Sequence, residues 1–480
     1  MARAWILAVA LAAALLAAPA LVAVSSAAQS QANIGVELIG FEETAKILET
    51  ASGYPDLAKI PWFGSDGSAL SQAVIENPAA AQFADEVNWA NTIAFFVNDK
   101  AVKVYCELKN KLGYTPDPYS LIAYDALYVL ALAIAQAGPD NVDAVAKAVE
   151  DVVKNYDGVS GKIVLDEYGD RVATDYGVFE VVKQGDKYTW TLKKIWHFQT
   201  EKFEDVKQDP FANCPEIQPP QVPEEPPSAD YQVVTIGALL PLTGDLASFG
   251  KANAESIKLA ARDVNKYFMD NGIKYWIKVE IVDTATDPAT AKDRFLALYN
   301  KGIRFFVGPM SSGELGEIVN LIKQGYKAVV ISQSSTAPSL KIKDTVYRFP
   351  PPDELQGKVL AQLIKGSGVD QLIIVYRNDD WGQGLAGFVE QYFTQMGGKV
   401  IAKIPYDPKN PNPTSVIEQV NAKVKEALQQ AGGETQTAGG EQAAGAATTT
   451  AGKGGIGGTA IAAIIVIIII VAAAAVLLRK

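Results

Sequence analysis

Apolar residues in the second half of the chain follow two alternating patterns. Short runs of consecutive apolar residues, as in VVTIGALL from Val233, are typical of strands buried in a parallel sheet. Longer stretches with apolar residues at helical spacing, as in ASFGKANAESIKLAARDVNKYF from Ala247, are typical of amphipathic helices. The alternation continues to Gln430. Strands that alternate with helices in this way predict parallel sheets flanked by helices.

The first half of the chain shows the same α/β pattern until its end. Residues Ile34 to Ile39 predict a strand, and FEETAKILETASG from Phe41 predicts a helix. Two longer helices are predicted by DKAVKVYCELKNKLG and PYSLIAYDALYVLALAIAQAG. From Gly161 to Phe198 the apolar residues instead alternate in short strands, with DEYGD as a turn between them, which indicates hairpins.

The two ends of the chain carry targeting patterns. Residues 1–28 place Arg3 before an apolar run that ends in small residues, which predicts a secretory signal peptide; an uncleaved anchor is the alternative. Residues 456–478 form an apolar run long enough to cross ~30 Å of hydrocarbon. Because Arg479 and Lys480 follow it, we expect one C-terminal transmembrane helix with the preceding residues outside the cell; the alternative is a buried core helix.

Two segments of low complexity divide the rest. Residues 201–230 are rich in proline and acidic residues and predict an extended linker between segments 33–200 and 231–430. Residues 431–455, rich in Gly, Ala and Thr, predict a stalk before the membrane run. Their GKGGIGG follows no strand, so a phosphate-binding loop is not expected.

Charge and rare residues exclude several classes of function. The formal net charge of −11 disfavours a nucleic-acid partner, which would need clustered Lys and Arg. The chain has one histidine, His197, and this removes most catalytic and zinc-site combinations, so we expect neither an enzyme nor a bound metal or cofactor. Cys106 and Cys214 are candidates for a disulfide if the chain is exported, although Cys106 could equally be a buried thiol.

Several motifs resemble the extracellular amino-acid receptors of the leucine/isoleucine/valine-binding type, the type I solute-binding proteins that serve ATP-driven (ABC) importers. IGALLPLTGDLASFG, DTATDPATA, FFVGPMSS, VISQSSTAPSL, YRFPPPDELQG and YRNDDWGQGLAGF resemble, in this order, the N-terminal half of that family. WFGSDG, PYSLIAYDALYVLA, YDGVSGKIVLDEYGDR and YGVFEVV resemble its C-terminal half, although they come first here.

The resemblance implies a two-lobed type I periplasmic-binding-protein fold, each lobe a parallel sheet flanked by helices, with the two halves in exchanged order. One lobe would combine residues 231–349 with about 98–174, and the other residues 352–430 with 33–88 and the tail to Phe198. A circular permutation explains this order, because the predicted junction is the kind of exposed loop that tolerates new termini. Fusion of unrelated fragments and exchange of halves between two chains are the alternatives.

The resemblance also implies a ligand site between the lobes. By similarity, the Ser312 hydroxyl and the Thr336 backbone and hydroxyl would bind a ligand carboxylate, and the Ser334 carbonyl would accept from its ammonium. Asp66 would pair with that ammonium across the cleft. Phe249, Trp381 and Phe41 would be aromatic walls. Without the resemblance, the Ser/Thr residues read as caps or turns, Asp66 as the N-cap of SALSQAVIE, and the aromatics as core.

The function expected from these features is that of a membrane-anchored extracellular substrate-binding protein of an ABC importer. Its ligand would be an amino acid with a branched-chain or other apolar side chain, or a related amide, and its partner the permease complex. A structural surface-assembly protein formed by domain swapping and a ligand-sensing ectodomain are the alternatives.

Overall fold

Two large β-sheets and one two-stranded sheet organise residues 33–428, which belong to one compact unit. The structure, a computed structural model, describes residues 33–444, and the side chains of residues 33–430. The strands are β1 (Ile34–Ile39), β2 (Trp62–Gly64), β3 (Ala90–Phe95), β4 (Asp157–Gly158), β5 (Gly161–Lys162), β6 (Asp175–Gln184), β7 (Lys187–His197), β8 (Lys202–Asp205), β9 (Gln232–Leu240), β10 (Tyr275–Asp283), β11 (Phe305–Val307), β12 (Val329–Ser332), β13 (Val346–Arg348), β14 (Gln371–Arg377) and β15 (Lys399–Tyr406).

Helices cover both large sheets, and six of the helices begin at a residue whose side chain caps the first turn. Asn98, for example, accepts a hydrogen bond from the N–H of Ala101 at the start of a helix that ends before Gly113, which adopts a left-handed conformation. The helices are α1 (Thr44–Ala51), α2 (Gln72–Glu76), α3 (Pro78–Glu86), α4 (Asp99–Leu112), α5 (Tyr119–Ala137), α6 (Val142–Asn155), α7 (Ala247–Asp270), α8 (Pro288–Asn300), α9 (Ser312–Lys323), α10 (Asp353–Gly366), α11 (Asp380–Gln395) and α12 (Pro413–Ala444).

The five-stranded sheet has the order β10-β9-β11-β12-β13, and all its strands are parallel. Helices α7, α8 and α9 connect these strands, and α4, α5 and α6 from the first half of the chain pack with them. Most of α5 is buried, which explains why its sequence is apolar on every face. We call this sheet with α4–α9 the five-stranded lobe.

The eight-stranded sheet has the order β15-β14-β1-β2-β3-β6-β7-β8. Its first five strands are parallel, as predicted, and β6, β7 and β8 extend the sheet with antiparallel pairing, which the predicted parallel sheet did not include. The turn between β6 and β7 at Gly185 is short, and a connection this short joins only antiparallel strands. With α1, α2, α3, α10 and α11 this sheet forms the eight-stranded lobe.

Strand β1 joins the two halves of the chain inside the eight-stranded sheet. It lies between β14 and β2 and pairs parallel with both, in a register that runs from Ile34 opposite Gln371 to Ile39 opposite Tyr376. All residues of β1 are buried. The sheet is therefore continuous across residues that are more than 300 positions apart in the chain.

The chain crosses between the lobes at 96–98, 172–174 and 349–352, and again through the segment after β8. Strand β8 lies at the start of the predicted linker 201–230, and no helix or strand follows it until β9. This segment lies on the five-stranded lobe: Cys214 is disulfide-bonded to Cys106 of α4, with 5.2 Å between their Cα atoms. The Phe211 ring stacks on Tyr105, with 4.1 Å between ring centroids.

His197 ends strand β7 and has no catalytic surroundings. Its ring nitrogens lie 3.0 Å from an Asp175 oxygen and 3.2 Å from a Glu204 oxygen. Both partners lie on neighbouring strands of the same sheet, so the contacts tie β6, β7 and β8 together.

The targeting segments predicted at the chain ends fall outside the described residues. This holds for residues 1–28, for residues 445–455 of the predicted stalk and for residues 456–478; the first stalk residues belong to α12. Among the residues that the structure describes, one helix is long and apolar enough to cross a membrane, Tyr119–Ala137, and most of it is buried inside the protein.

Candidate functional site

A cavity lies between the two lobes. Most of its walls come from segments that follow β1, β2, β9, β11, β12 and β14, so they gather at the carboxyl ends of parallel strands, where open α/β sheets commonly bind ligands. The lining residues are Phe41, Asp66, Gly67, Tyr119, Leu246, Phe249, Met310, Ser311, Ser312, Ser334 and Trp381.

Serine hydroxyls form the wall that belongs to the five-stranded lobe. Ser311 caps α9, and the Glu314 side chain accepts from the Ser311 N–H in return. The Ser312 hydroxyl oxygen accepts from the N–H groups of Thr336 and Ala337, at 3.2 and 3.1 Å. These bonds fix the hydroxyl at the N-terminus of α9, where the helix dipole favours a negative charge.

Ser334 and Thr336 both follow strand β12, but they differ in their position relative to the cavity. Ser334 lines the cavity and donates its hydroxyl to the Met310 carbonyl at 2.8 Å. Thr336 is buried beside the cavity rather than in its lining, and its hydroxyl has no hydrogen-bond partner among the described residues. Thr336 thus reaches the cavity wall through Ser312.

The opposite wall carries a buried carboxyl group, Asp66. One of its oxygens accepts a hydrogen bond from the Tyr119 hydroxyl, and the other has no partner among the residues that the structure describes. Burial raises the pKa of Asp66 to about 6, although the bond from Tyr119 acts in the other direction. An ionised Asp66 is therefore only partly compensated, and a cation in the cavity would stabilise it further.

A second buried carboxyl group, Asp353, stands at the start of α10. Its N–H donates to the Thr336 carbonyl at 3.2 Å, and neither side-chain oxygen has a partner within residues 33–430. Burial and then the nearby charge of Asp66 raise the pKa of Asp353 well above its usual range. Burial therefore favours the neutral form of Asp353.

Aromatic rings close the remaining sides. Phe41 stacks on Trp381 with 4.7 Å between ring centroids, and the Arg377 guanidinium lies over the other face of Phe41 at 3.8 Å. Phe249 faces the cavity from α7. Gly67 permits this packing, because a Cβ there would lie 2.6 Å from Phe41 and 2.7 Å from Trp381.

The structure brings six of the seven predicted ligand residues to one cavity, Thr336 being the exception. The sequence reasoning did not identify Tyr119, Leu246, Met310 or Asp353. Tyr119 and Asp353 lie inside the quoted motifs PYSLIAYDALYVLA and YRFPPPDELQG, so the motifs were the available signal. Asp66 does not cap a helix, since Ser71 precedes α2. In the described part of the chain, no group of His, Cys, Asp or Glu side chains is placed to hold a metal ion.

Two family models match the chain, one in each half. The model described as "Periplasmic binding protein" matches residues 233–465, and the model described as "Receptor family ligand binding region" matches residues 24–184. Each therefore covers one of the two segments that the linker separates.

Similar proteins include an uncharacterized protein of Methanocaldococcus jannaschii, 35% identical over 199 residues, which are 40% of this chain and 48% of that protein. The Leu/Ile/Val-binding protein homolog 3 of Brucella melitensis is 26% identical over 187 residues, 38% of this chain and 49% of that protein. The chain thus spans about half the length of the curated relatives it matches. A solved structure of the branched-chain amino acid transporter substrate binding protein LivJ from Streptococcus pneumoniae, in complex with isoleucine, is 23% identical, with a TM-score of 0.32, over 37% of this chain and 50% of that one.

Proposed function

We propose that the chain is a type I periplasmic binding protein of the leucine/isoleucine/valine-binding family and that it is the extracellular substrate-binding protein of an ABC importer, not an enzyme. Its ligand is an amino acid with a branched-chain or other apolar side chain, or a related amide, bound between the two lobes. The permease complex in the membrane receives the ligand.

The observation that carries this proposal is the polarity of the cavity between the lobes. One wall offers the Ser312 hydroxyl at a helix N-terminus, which suits a carboxylate, and the opposite wall offers the buried Asp66 carboxyl, which suits an ammonium. An amino acid carries both groups on one carbon atom. The stacked Phe41 and Trp381 rings and Phe249 supply the apolar surface that its side chain needs.

In this arrangement Ser312 binds the α-carboxylate and Ser334 part of the ammonium, as the family resemblance implies, and Thr336 supports the Ser312 hydroxyl through its N–H. Asp66 pairs with the ammonium from the other lobe, so the ligand connects the lobes and favours their closure. Tyr119 orients Asp66 through its hydroxyl.

The function is tested by thermal unfolding of the full-length protein with each of the amino acids and their amides. A bound ligand raises the melting temperature by mass action. Leucine, its decarboxylated amine and its deaminated acid separate the contributions of the two charged ends. The proposal fails if a folded, unliganded preparation is stabilised by none of the amino acids or amides.

Asp66→Asn tests the acidic wall. We expect binding of the ligand found in that screen to weaken by about 1–3 kcal/mol, because a charged hydrogen bond is lost. Asp117→Asn is the matched control, since Asp117 is also a buried acid with a pKa near 6 but does not line the cavity. Equal affinities of the Asp66→Asn variant and the wild type would remove Asp66 from the site.

The order of the segments is part of the proposal: the chain is a circular permutation of the family fold. It is supported by β1, which pairs between β14 and β2 although the linker separates it from β14 in the chain. A rearranged chain in which 231–430 precedes 33–200 should bind the same ligand. Sedimentation of the wild type as a dimer that exchanges halves would contradict the arrangement within one chain.

The site of action is proposed from the chain ends. Residues 1–28 direct export, and residues 456–478 anchor the protein in the cell membrane, with the stalk 431–455 between the anchor and the binding domain. Deleting residues 456–480 should release the protein into the medium. A deletion variant that remains in the membrane fraction would contradict the anchor.

A further inference from the structure

A hydrogen-bonded contact joins the two lobes at the rim of the cavity. Glu42 of the eight-stranded lobe follows the wall residue Phe41, and Ser248 of the five-stranded lobe lies between the wall residues Leu246 and Phe249. The Glu42 carboxylate accepts from the Ser248 N–H at 3.1 Å and from the Ser248 hydroxyl. The contact runs from one wall of the cavity to the other.

A second bond runs in the opposite direction across the same gap. The Glu42 N–H donates to the Asp245 carbonyl oxygen at 3.1 Å. Glu42 therefore makes bonds to the other lobe through both its backbone and its side chain. All of these bonds must break when the lobes separate at this edge.

Helix α7, which begins beside Ser248, depends on Glu42 for its first turn. Its N-cap position is Leu246, and no side-chain cap is formed there. Other helices of the same lobe have their own caps, at Asn98, Asn141, Asp287 and Ser311. The free N–H groups of a first helical turn need acceptors, and the positive end of the helix dipole favours a carboxylate. For α7 that carboxylate comes from the opposite lobe.

Arg377 balances the acidic groups that surround this contact. It pairs with Glu43 at 2.9 Å and with Asp379 at 2.6 Å in its own lobe, and it lies 3.8 Å from the Asp245 carboxylate of the other lobe. Its guanidinium also covers the Phe41 ring. The same cation thus supports the aromatic wall and limits the repulsion between the carboxylates that meet at the rim.

We propose that the Glu42 carboxylate is a closing latch, which holds the lobes together over the cavity by capping α7 from the opposite lobe. The role of the latch in ligand capture rests on the proposed function, although the contact itself does not. The latch lies next to Phe41 in one wall and between Leu246 and Phe249 in the other, so it holds these walls of the cavity together. By raising the closed population, it raises the apparent affinity for any ligand that binds the closed form.

Amide hydrogen exchange of the full-length protein in detergent, without ligand and resolved to single residues, tests the latch. In Glu42→Ala the N–H of residue 42 and its acceptor, the Asp245 carbonyl, both remain, so exchange at residue 42 reports how often the lobes part. We expect this N–H to exchange about tenfold faster in Glu42→Ala than in the wild type, because a charged hydrogen bond is lost. Ser248→Ala, which removes only the hydroxyl donor, should give a smaller increase.

Glu49→Ala is the matched control. Glu49 lies on α1, in the same lobe. Its side chain is partly exposed and bonds to Lys46 and Asn77, neither of which belongs to α7. Exchange at residue 42 in this variant should equal that of the wild type. Amides of β9 should keep wild-type exchange in all three variants, which separates opening of the lobes from loss of global stability.

Three results would overturn the latch. They are unprotected exchange of the residue 42 N–H in the wild type, unchanged exchange in Glu42→Ala, and an equal increase in β9. Because no ligand is present, these results do not depend on the outcome of the amino-acid screen, so the latch and the proposed function can fail separately.

Discussion

The two lobes are built from the two halves of the chain in different ways. The five-stranded sheet comes from one continuous segment, Gln232–Arg348, and the first half contributes to that lobe mainly helices α4, α5 and α6 with the short strands β4 and β5. The eight-stranded sheet is shared, because β1, β2 and β3 of the first half continue the sheet of β14 and β15. In the five-stranded lobe the two halves of the chain meet mainly in the layer of helices. In the eight-stranded lobe they meet within the sheet itself.

This difference separates two kinds of physical dependence. Helix packing buries apolar surface and tolerates small shifts, whereas strand pairing requires a register that is correct at every residue. The five-stranded sheet can form from local segments alone. The eight-stranded sheet must wait until distant segments meet, and closing so long a loop costs entropy before any strand bond is gained.

The largest expected effect concerns the ion pair that joins the halves within the five-stranded lobe. Arg348 and Asp170 lie 2.7 Å apart, and their side chains are 3% and 6% exposed. Arg348→Met leaves the Asp170 carboxylate buried without its cation, so we expect the free energy of unfolding to fall by about 3–5 kcal/mol. Urea unfolding monitored by circular dichroism measures this loss.

The double variant Arg348→Met, Asp170→Asn controls for the uncompensated charge and should recover part of the lost stability. If the single variant loses less than about 1 kcal/mol, as exposed pairs do, the pair does not join the halves energetically.

A matched pair of substitutions compares the order in which the two sheets form. Leu38 of β1 and Leu239 of β9 are both fully buried, and each change to Ala should cost about 2–5 kcal/mol. We expect Leu239→Ala mainly to slow refolding and Leu38→Ala mainly to speed unfolding, because the local sheet forms before the shared one. Stopped-flow folding and unfolding rates provide the measurement. The reverse assignment of the two effects would refute the proposed order.

Removal of the disulfide tests how firmly the segment after β8 is held on the five-stranded lobe. The bond between Cys106 and Cys214 closes a loop with a sequence separation of 108 residues. The double variant Cys106→Ala, Cys214→Ala should lose about 2–4 kcal/mol of stability in denaturant unfolding.

Reduced wild-type protein is the control and should match the double variant, which itself should not respond to reductant. A wild type that is insensitive to reductant would show that the bond is not formed in the folded protein.

The smallest effect is a pH dependence that both lobes share. Burial raises the pKa of Asp66 and of Asp117 to about 6, so the folded state keeps these protons at a pH where the unfolded chain, with a pKa near 3.8, has lost them. The contribution of these two groups to the free energy of unfolding is therefore fully present below about pH 4, and it decreases as the pH rises to about 6. Asp66→Asn should reduce this fall by about 1–3 kcal/mol.

Asp117→Asn should reduce the fall in the same direction, since the two acids belong to different lobes of one unit. Unfolding curves between pH 4 and 7 provide the measurement. A wild-type stability that rises over this range, with both variants following it, would contradict the assigned direction.

The sequence predicted most of the fold. It did not predict how strands from distant parts of the chain pair. The apolar patterns located the strands and helices of 231–430, and the predicted lobe limits near residues 98, 174 and 349–352 coincide with the crossings between the lobes. The antiparallel direction of β6, β7 and β8 was not carried into the predicted sheet. Periodicity reports which face of an element is buried, and it does not report the direction of its neighbour.

The candidate site likewise contains residues that the sequence identified and contacts that it did not. The motifs contained Asp66, Ser312 and Trp381, because these residues follow strands in stretches with a recognisable pattern. The Tyr119 hydroxyl on Asp66 and the Glu42 contact with Ser248 join residues 53 and 206 positions apart. Neither contact leaves a local signal, since a tyrosine in an apolar helix and a glutamate at a helix start are ordinary residues.

The sequence by itself determined which residues form strands and helices and which loops carry polar groups, because these properties depend on neighbours within a few positions. Only the tertiary structure decided that β1 enters the sheet between β14 and β2, that Asp66 is buried against Tyr119, and that Glu42 caps a helix of the other lobe. These arrangements depend on register, burial and charge between segments that are brought together only by folding.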